Sequence, residues 1–125
     1  KRCIFIADGW YEWQKLGSEK QPWYHHQDGE LLHFAGVYHP QSGCAIVTQA
    51  AHPAIEHIHH RQPLLLTDKA MVMWAEGASP QQVNSDMAVK THCVSTMVSN
   101  ARLDDPSLVN PVNANESFIQ RDLWI

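Results

Sequence analysis

Short runs of apolar and aromatic residues, separated by glycine, proline and acidic residues, dominate the first half of the chain. Strands are predicted at residues 3–7, 10–14, 23–26, 31–38 and 44–48. Asp8-Gly9, a dipeptide typical of hairpins, separates the first two runs, and a polar loop is expected over residues 16–21. The even spacing of these turns predicts a meander of antiparallel strands.

Helix and strand signals mix in the second half of the chain. A short helix is predicted over residues 53–58, with a proline in its first turn. The clearest helix covers residues 68–76, because Thr67 suits an N-cap, Asp68 suits the first turn and Gly77 suits the position after the last turn. Further short strands are predicted at residues 64–66 and 90–95. The pattern indicates one α+β domain, mostly antiparallel β with a few short helices.

Composition limits the classes of protein that this chain can belong to. A length of 125 residues with 44% hydrophobic residues suits one domain with its own core. No apolar run approaches the ~18 residues of a membrane-spanning helix, so no membrane partner is expected. A net charge of -4 argues against nucleic-acid binding by bulk electrostatics and leaves a local, shape-selective site open. The three cysteines lack Cys-x-x-Cys spacing, which favours buried, reduced thiols and a cytoplasmic protein.

Four of the nine histidines cluster at His52, His57, His59 and His60. Neutral imidazoles beside Glu56 would suit zinc, so a metal-dependent hydrolase is one hypothesis for this segment. The segment lacks the His-Glu-x-x-His spacing, and adjacent His59 and His60 are expected to point in different directions. We therefore predict no metal site and no other cofactor.

Glu12 lies in the aromatic segment Ala7-Asp8-Gly9-Trp10-Tyr11-Glu12-Trp13. On a strand, Trp10 and Glu12 share one face. A wall of indole rings would desolvate the carboxylate and raise its pKa towards the range of a general acid or base. The alternative is an exposed strand glutamate beside core tryptophans, and the pattern alone leaves both explanations open.

Several segments, taken in chain order, together match one known family. They are Arg2-Cys3-Ile4-Phe5-Ile6-Ala7-Asp8-Gly9-Trp10-Tyr11-Glu12-Trp13, Gln21-Pro22-Trp23-Tyr24, Phe34-Ala35-Gly36, Ile46-Val47-Thr48, Ile58-His59-His60-Arg61-Gln62-Pro63-Leu64 and, near the end, Val94-Ser95-Thr96, Asp105-Pro106 and Pro111-Val112. With these motifs the chain resembles the SRAP family, the SOS response-associated peptidase domains. The resemblance covers nearly the whole chain and implies an SRAP-like sheet or barrel.

The resemblance also implies a function in the DNA damage response. Members of the family shield abasic sites in single-stranded DNA by a covalent DNA–protein crosslink, and they process their own N-terminus as thiol autopeptidases. Their nucleophile is an N-terminal cysteine, exposed when Met is removed from a Met-Cys-Gly-Arg start. Its α-amine attacks the aldehyde of the ring-opened sugar, and its thiol then closes a thiazolidine.

The resemblance assigns roles to individual residues of this chain. Glu12 matches the glutamate that handles protons during ring opening and self-processing, and His59 matches the histidine that assists Schiff-base proton transfers. Arg61 and Thr48 match positions near the DNA backbone, where the guanidinium of Arg61 can hold a phosphate. Trp10 is assigned to DNA binding with them.

The chain departs from the family pattern at two places. His60 stands where the family motif has an aspartate, which leaves Glu56 or Asp68 as the orienting carboxylate. The sequence has no Met-Cys-Gly-Arg start, and Cys3 lies inside a predicted strand. Residues 1–125 are therefore expected to be the C-terminal part of a single SRAP-like domain without the nucleophile, and to form no crosslink alone.

Two other hypotheses remain beside an SRAP-type protein acting on abasic single-stranded DNA. One is a non-enzymatic module that binds single-stranded DNA through exposed aromatic residues and Arg61. The other is the metal-dependent hydrolase built on the histidine cluster. Strands without their N-terminal neighbours would expose sheet edges, which predicts a homodimer or a segment-exchanged assembly.

Overall fold

The computed structural model describes residues 1–113, and the remainder of the predicted domain lies outside the described residues. Its elements, in chain order, are β1 (Arg2–Ala7), β2 (Gly9–Leu16), β3 (Glu19–His26), β4 (Leu32–His39), β5 (Gly43–Ile46), β6 (Thr48–Ala50), β7 (Arg61–Pro63), α1 (Asp68–Ala75), α2 (Pro80–Val83) and β8 (Lys90–Cys93). Single 3₁₀ turns follow at Thr96–Ser99 and Pro106–Val109. The predicted class, α+β with mostly antiparallel strands and a few short helices, is confirmed.

Within residues 1–113 the strands form three antiparallel sheets, ordered β1-β4-β5, β2-β3-β8 and β6-β7. β1 pairs with β4, not with β2, so the hairpin predicted at Asp8-Gly9 is wrong. The chain crosses from one sheet to the next at this dipeptide. Gly9 is required at the crossing because a Cβ there would collide with the backbone carbonyl oxygen of His25.

β2 and β3 form a long hairpin that extends further than the sequence predicts. Leu16 pairs with Glu19 across a turn of Gly17 and Ser18, and Gly17 has a positive φ of 63°. The loop predicted over residues 16–21 is therefore shorter, and its second half belongs to β3. The polar residues Glu19, Lys20 and Gln21 gave no strand signal in the sequence, although Gln21 is buried in the structure.

β4 lies at the centre of the core and buries side chains on both of its faces. Leu32 and Phe34 pack with Leu65 on one face, and Ala35 packs with Leu64 on the other. The segment of residues 64–66 runs along β4, but it forms only an isolated bridge between Phe34 and Leu65, so the strand predicted there is reduced to one bridge.

The helix that the sequence predicts most clearly is confirmed as α1, and hydrogen bonds connect it to two strands. Thr67 accepts a hydrogen bond from the Ala70 N–H at 3.2 Å, and Gly77 adopts a φ of 100° after the last turn. The Trp74 indole N–H donates to the carbonyl oxygens of Cys3, at 3.1 Å, and of Gly36, at 3.2 Å. No helix among residues 1–113 is long and apolar enough to cross a bilayer.

Candidate active site

Glu12 lies in the middle of β2, which is an edge strand among residues 1–113 because β3 is its one partner there. Trp13 stands opposite Pro22, whose carbonyl oxygen accepts the Val94 N–H at 3.1 Å. The Pro22 backbone thus faces β8, and in an antiparallel pair the Trp13 N–H then points to the free edge of the sheet. There it donates a hydrogen bond to the Glu12 carboxylate. The Glu12 carboxylate therefore interacts with a backbone N–H group at the edge of β2.

The loop between β6 and β7 carries the clustered histidines. The helix predicted over residues 53–58 is wrong, since this stretch is a series of turns. Ile55 N–H donates to His52 O at 2.9 Å, and Ile58 N–H donates to Ile55 O at 3.0 Å. Both bonds span three residues, as in turns, and not the four residues of an α-helix. Ile55 and Ile58, each 4% exposed, anchor the loop in the core instead.

His57 fastens this loop to the sheet that carries Glu12. The Gln14 side-chain amide donates to the His57 carbonyl oxygen at 3.3 Å. The Trp23 indole N–H donates to Gln14 Oε1 at 3.0 Å, and the Trp23 ring meets the His57 imidazole edge-on at 6.1 Å. Gln14 lies two residues from Glu12 on the same face of β2, so the loop packs next to the carboxylate.

His59 is held by the backbone of Arg61. The His59 Nδ1 atom lies 3.1 Å from the Arg61 carbonyl oxygen and 3.2 Å from the Arg61 backbone nitrogen. When Nδ1 carries the ring proton and donates it to that carbonyl oxygen, Nε2 is free to accept a proton. The ring of His60 stacks on that of His59, with centroids 4.7 Å apart and planes inclined by 28°. The expectation that the two imidazoles point in different directions is therefore wrong, because the chain turns where they meet. No group of three His, Cys, Asp or Glu residues suited to hold a metal ion occurs in the described part of the chain.

Arg61 and Thr48 form a pair on the surface of the two-stranded sheet. Arg61 Nη2 donates to the Thr48 carbonyl oxygen at 2.9 Å and to Thr48 Oγ1 at 3.2 Å. The Nη1 group of Arg61 makes no hydrogen bond to any residue that the structure describes, and both side chains are exposed. Thr48 therefore orients the guanidinium and leaves one of its edges open for a ligand.

Glu12 and His59, distant in sequence, line one open cleft of about 580 Å³. Its lining comprises Glu12, Trp13, Lys15, Lys20, Glu56, His57, Ile58, His59 and His60. Desolvation by burial raises the pKa of Glu12, and the charges of His59 and His60, with the Trp13 N–H, oppose part of that rise. Glu12 therefore stays protonated to a higher pH than an exposed glutamate.

The structure does not bring Trp10 to this cleft. Its ring packs against the imidazole of His25, at 4.7 Å, and edge-on against Phe34, at 5.7 Å, at the border of the core. Trp13 is the tryptophan that lines the cleft, and the sequence reasoning missed it. Its place directly after Glu12 was the available signal, but aromatic residues occupy both faces of β2, so alternation alone does not show which face is core.

Acidification is expected to destabilise the fold through His25. This side chain is 1% exposed, and burial, followed by the charges of neighbouring histidines, lowers its pKa from 6.5 to about 4. Between those values the unfolded chain binds a proton that the folded chain does not, so stability is full above pH 6.5 and falls as the pH drops to 4, by up to about 3 kcal/mol. Urea denaturation at several pH values measures this loss.

His25→Gln is the variant that removes the pH dependence assigned to His25. Its unfolding free energy is expected to change less between neutral and acidic pH than that of the wild type. His39→Gln, at an exposed position, is the matched control and should keep the wild-type slope. An equal slope in His25→Gln and the wild type would show that another group causes the acid sensitivity.

The structure is thus an α+β protein in which a carboxylate and an imidazole line one open cleft at the edge of an antiparallel sheet. The chain belongs to the SOS response associated peptidase (SRAP) family, whose model matches residues 1–101. The family that the sequence motifs suggested is thus confirmed.

Curated relatives agree with this assignment, and a solved structure has a similar fold. The chain is 31% identical to the abasic site processing protein YedK of Escherichia coli, over 89% of this chain and 58% of that protein. It is 29% identical to the abasic site processing protein HMCES of Gallus gallus, over 90% of this chain and 44% of that protein. The chain thus spans about half the length of these relatives. A crystal structure of a protein from Bacteroides thetaiotaomicron matches its fold, with a TM-score of 0.75 and 21% identity over 90% of this chain and 57% of the other.

Proposed function

We propose that this chain binds single-stranded DNA at abasic sites and that Glu12 and His59 transfer protons while the site is processed. One observation carries the proposal: a carboxylate with a raised pKa and an imidazole line the same open cleft. Such a pair suits general acid–base chemistry near neutral pH. The names of the relatives, abasic site processing proteins, support the choice of substrate.

The chemistry of an abasic site gives each group a task. The ring-opened sugar carries an aldehyde, and the α-amine of a cysteine attacks its carbon to form a C–N bond. As this bond forms, protonated Glu12 donates its proton to the aldehyde oxygen and His59 takes one proton from the amine, which gives the carbinolamine. His59 then passes that proton to the carbinolamine hydroxyl, which leaves as water and yields the protonated Schiff base. The cysteine thiol adds to the Schiff base carbon and closes the thiazolidine, and its proton returns to the Glu12 carboxylate.

Arg61 supplies the contact to the DNA backbone in this proposal. Its Nη1 edge is open, while Nη2 and Nε are held by Thr48 at distances of 2.9 to 3.4 Å. A pre-oriented guanidinium loses less side-chain entropy when it binds a phosphate. Trp13, in the lining of the cleft, offers an aromatic ring to a neighbouring base.

The cysteines support a cytoplasmic setting for this function. Cys3, Cys44 and Cys93 are free thiols, and Cys44 is exposed, which differs from the predicted burial of all three. Its hydrophilic turn neighbours keep β5 at the surface. Free thiols of this kind persist where the compartment is reducing.

Replacing Arg61 with glutamine tests the DNA-binding part of the proposal. The variant is expected to bind an abasic single-stranded oligonucleotide about ten- to hundredfold more weakly, because a charged hydrogen bond contributes about 1.5–3 kcal/mol. The slope of log Kd against log salt should also fall by about 0.7. Fluorescence anisotropy at several salt concentrations measures both.

Lys69→Gln is the control for Arg61, since it removes one positive charge from an exposed position of α1. It is expected to bind DNA as the wild type does, and the wild type should bind abasic DNA more tightly than undamaged DNA of equal length. Equal binding by Arg61→Gln and Lys69→Gln would contradict the assignment of Arg61. No binding of single-stranded DNA by the wild type would overturn the proposed function.

A further inference from the structure

Lys15 and Lys20 stand directly opposite each other at the end of the β2–β3 hairpin. Directly opposed residues of an antiparallel pair project from the same face, so the two ammonium groups are neighbours. Like charges in this position destabilise a hairpin. Within residues 1–113 neither lysine has a carboxylate partner at ion-pair distance. The pair therefore has no stabilising role in the fold that would account for it.

The two lysines border the cleft of Glu12 and His59 and extend it. Both belong to the lining of that cleft, and Lys20 also lines an adjoining cleft of about 740 Å³. Trp13 is the other residue common to both, and its indole N–H donates to Ser99 Oγ at 3.0 Å. The remaining lining of the second cleft is Ser18, Glu19, Thr96, Val98, Ser99 and Ala101. The two clefts thus meet at the wall formed by Trp13 and Lys20.

We propose that Lys15 and Lys20 bind backbone phosphates of nucleotides that flank the abasic site, and that the DNA strand continues past them into the adjoining cleft. The inference rests on the proposed function, because it takes the ligand to be single-stranded DNA. A chain with a net charge of -4 repels a polyanion over most of its surface. A pair of unpartnered ammonium groups beside the reacting site gives the strand a local attractive path.

The double variant Lys15→Gln/Lys20→Gln tests this path against the matched control Lys69→Gln/Lys90→Gln, which removes the same charge elsewhere. Binding is measured with an abasic strand of about ten nucleotides and with a minimal strand that has one nucleotide on each side of the lesion. For the long strand, the double variant is expected to lower the salt slope by about 1.4, since each phosphate contact on a single strand contributes about 0.7. For the minimal strand the decrease should be smaller, because that strand has fewer flanking phosphates to contact the lysines.

Three results would overturn the inference in distinguishable ways. If the wild type binds the long strand and the two double variants bind alike, the lysines do not contact DNA while the proposed function stands. If the double variant loses the same affinity for both DNA strands, the lysines bind at the lesion itself and not at the flanking nucleotides. Failure of the wild type to bind either strand removes the proposed function and the inference with it. Thermal melting of Lys15→Gln/Lys20→Gln controls for folding, and it is expected at or above the wild-type temperature because a like-charge pair has been removed.

Discussion

Replacing Trp74 with alanine is expected to lower the unfolding free energy by about 3–5 kcal/mol, the usual cost of removing a buried Trp or Phe side chain. Trp74 is 2% exposed, and its loss leaves a cavity between α1, β1 and β4. It also removes the donor that serves the carbonyl oxygens of Cys3 and Gly36. A domain with a total stability of about 5–15 kcal/mol loses a large part of it. Urea denaturation followed by circular dichroism measures the loss.

Two further variants separate the contributions of Trp74. Trp74→Phe keeps most of the ring packing and loses the indole N–H, so we expect a cost of about 1–3 kcal/mol from the two carbonyl groups left without it. Val72→Ala, on the exposed side of the same helix with a 60% exposed side chain, should change stability by about 0.5 kcal/mol or less. A cost for Trp74→Ala as small as that for Val72→Ala would contradict the described core.

Replacing Glu12 with glutamine is expected to slow capture of the abasic aldehyde by about 10²–10⁴-fold, the usual contribution of a positioned general acid. The assay supplies free cysteine as the nucleophile and follows thiazolidine formation on an abasic strand bound to the protein. It therefore does not depend on which residue begins the polypeptide. Because Glu12 acts in its protonated form, the wild-type rate should fall as the pH rises through its raised pKa, and this fall should be absent in Glu12→Gln.

Glu30→Gln is the control for Glu12, since it makes the same chemical change at an exposed position outside the cleft. It is expected to keep the rate and the pH profile of the wild type. Glu12→Gln should still bind abasic DNA, because the carboxylate contributes to chemistry and not to attraction of a polyanion. If the wild type binds DNA but does not accelerate the reaction, the chain acts as a non-enzymatic binding module.

Local patterns predicted the strands and α1 because each depends on neighbours in sequence. The cap at Thr67 and the glycine at position 77 determine where α1 begins and ends, whatever the rest of the fold does. The partner of a strand depends on residues far along the chain. Asp8-Gly9 looks like a hairpin turn, yet β1 pairs with β4 because the two strands bury their apolar faces together. The two residues of the turn therefore do not determine which strand β1 pairs with.

The same limit applies to the candidate site. Family motifs indicated Glu12, His59, Arg61 and Thr48, and the structure gathers the first two in one cleft and joins the other two by hydrogen bonds. To predict which tryptophan of β2 lines the cleft, one must know which face of the strand packs against the core. The sequence could not predict that Lys15 and Lys20 stand opposite each other, because this depends on the register of the hairpin. Residues 16–21 were expected to form a loop, so no register was predicted for them.

The most direct test of the central claim is to map which backbone amides of the ¹⁵N-labelled protein shift when abasic single-stranded DNA is added. The account predicts that the largest chemical-shift changes centre on Glu12, Trp13, His59 and Arg61, and that undamaged DNA of equal length produces smaller ones. Changes confined to the exposed side of α1, around Lys69 and Val72, would contradict it, as would identical changes with abasic and undamaged strands.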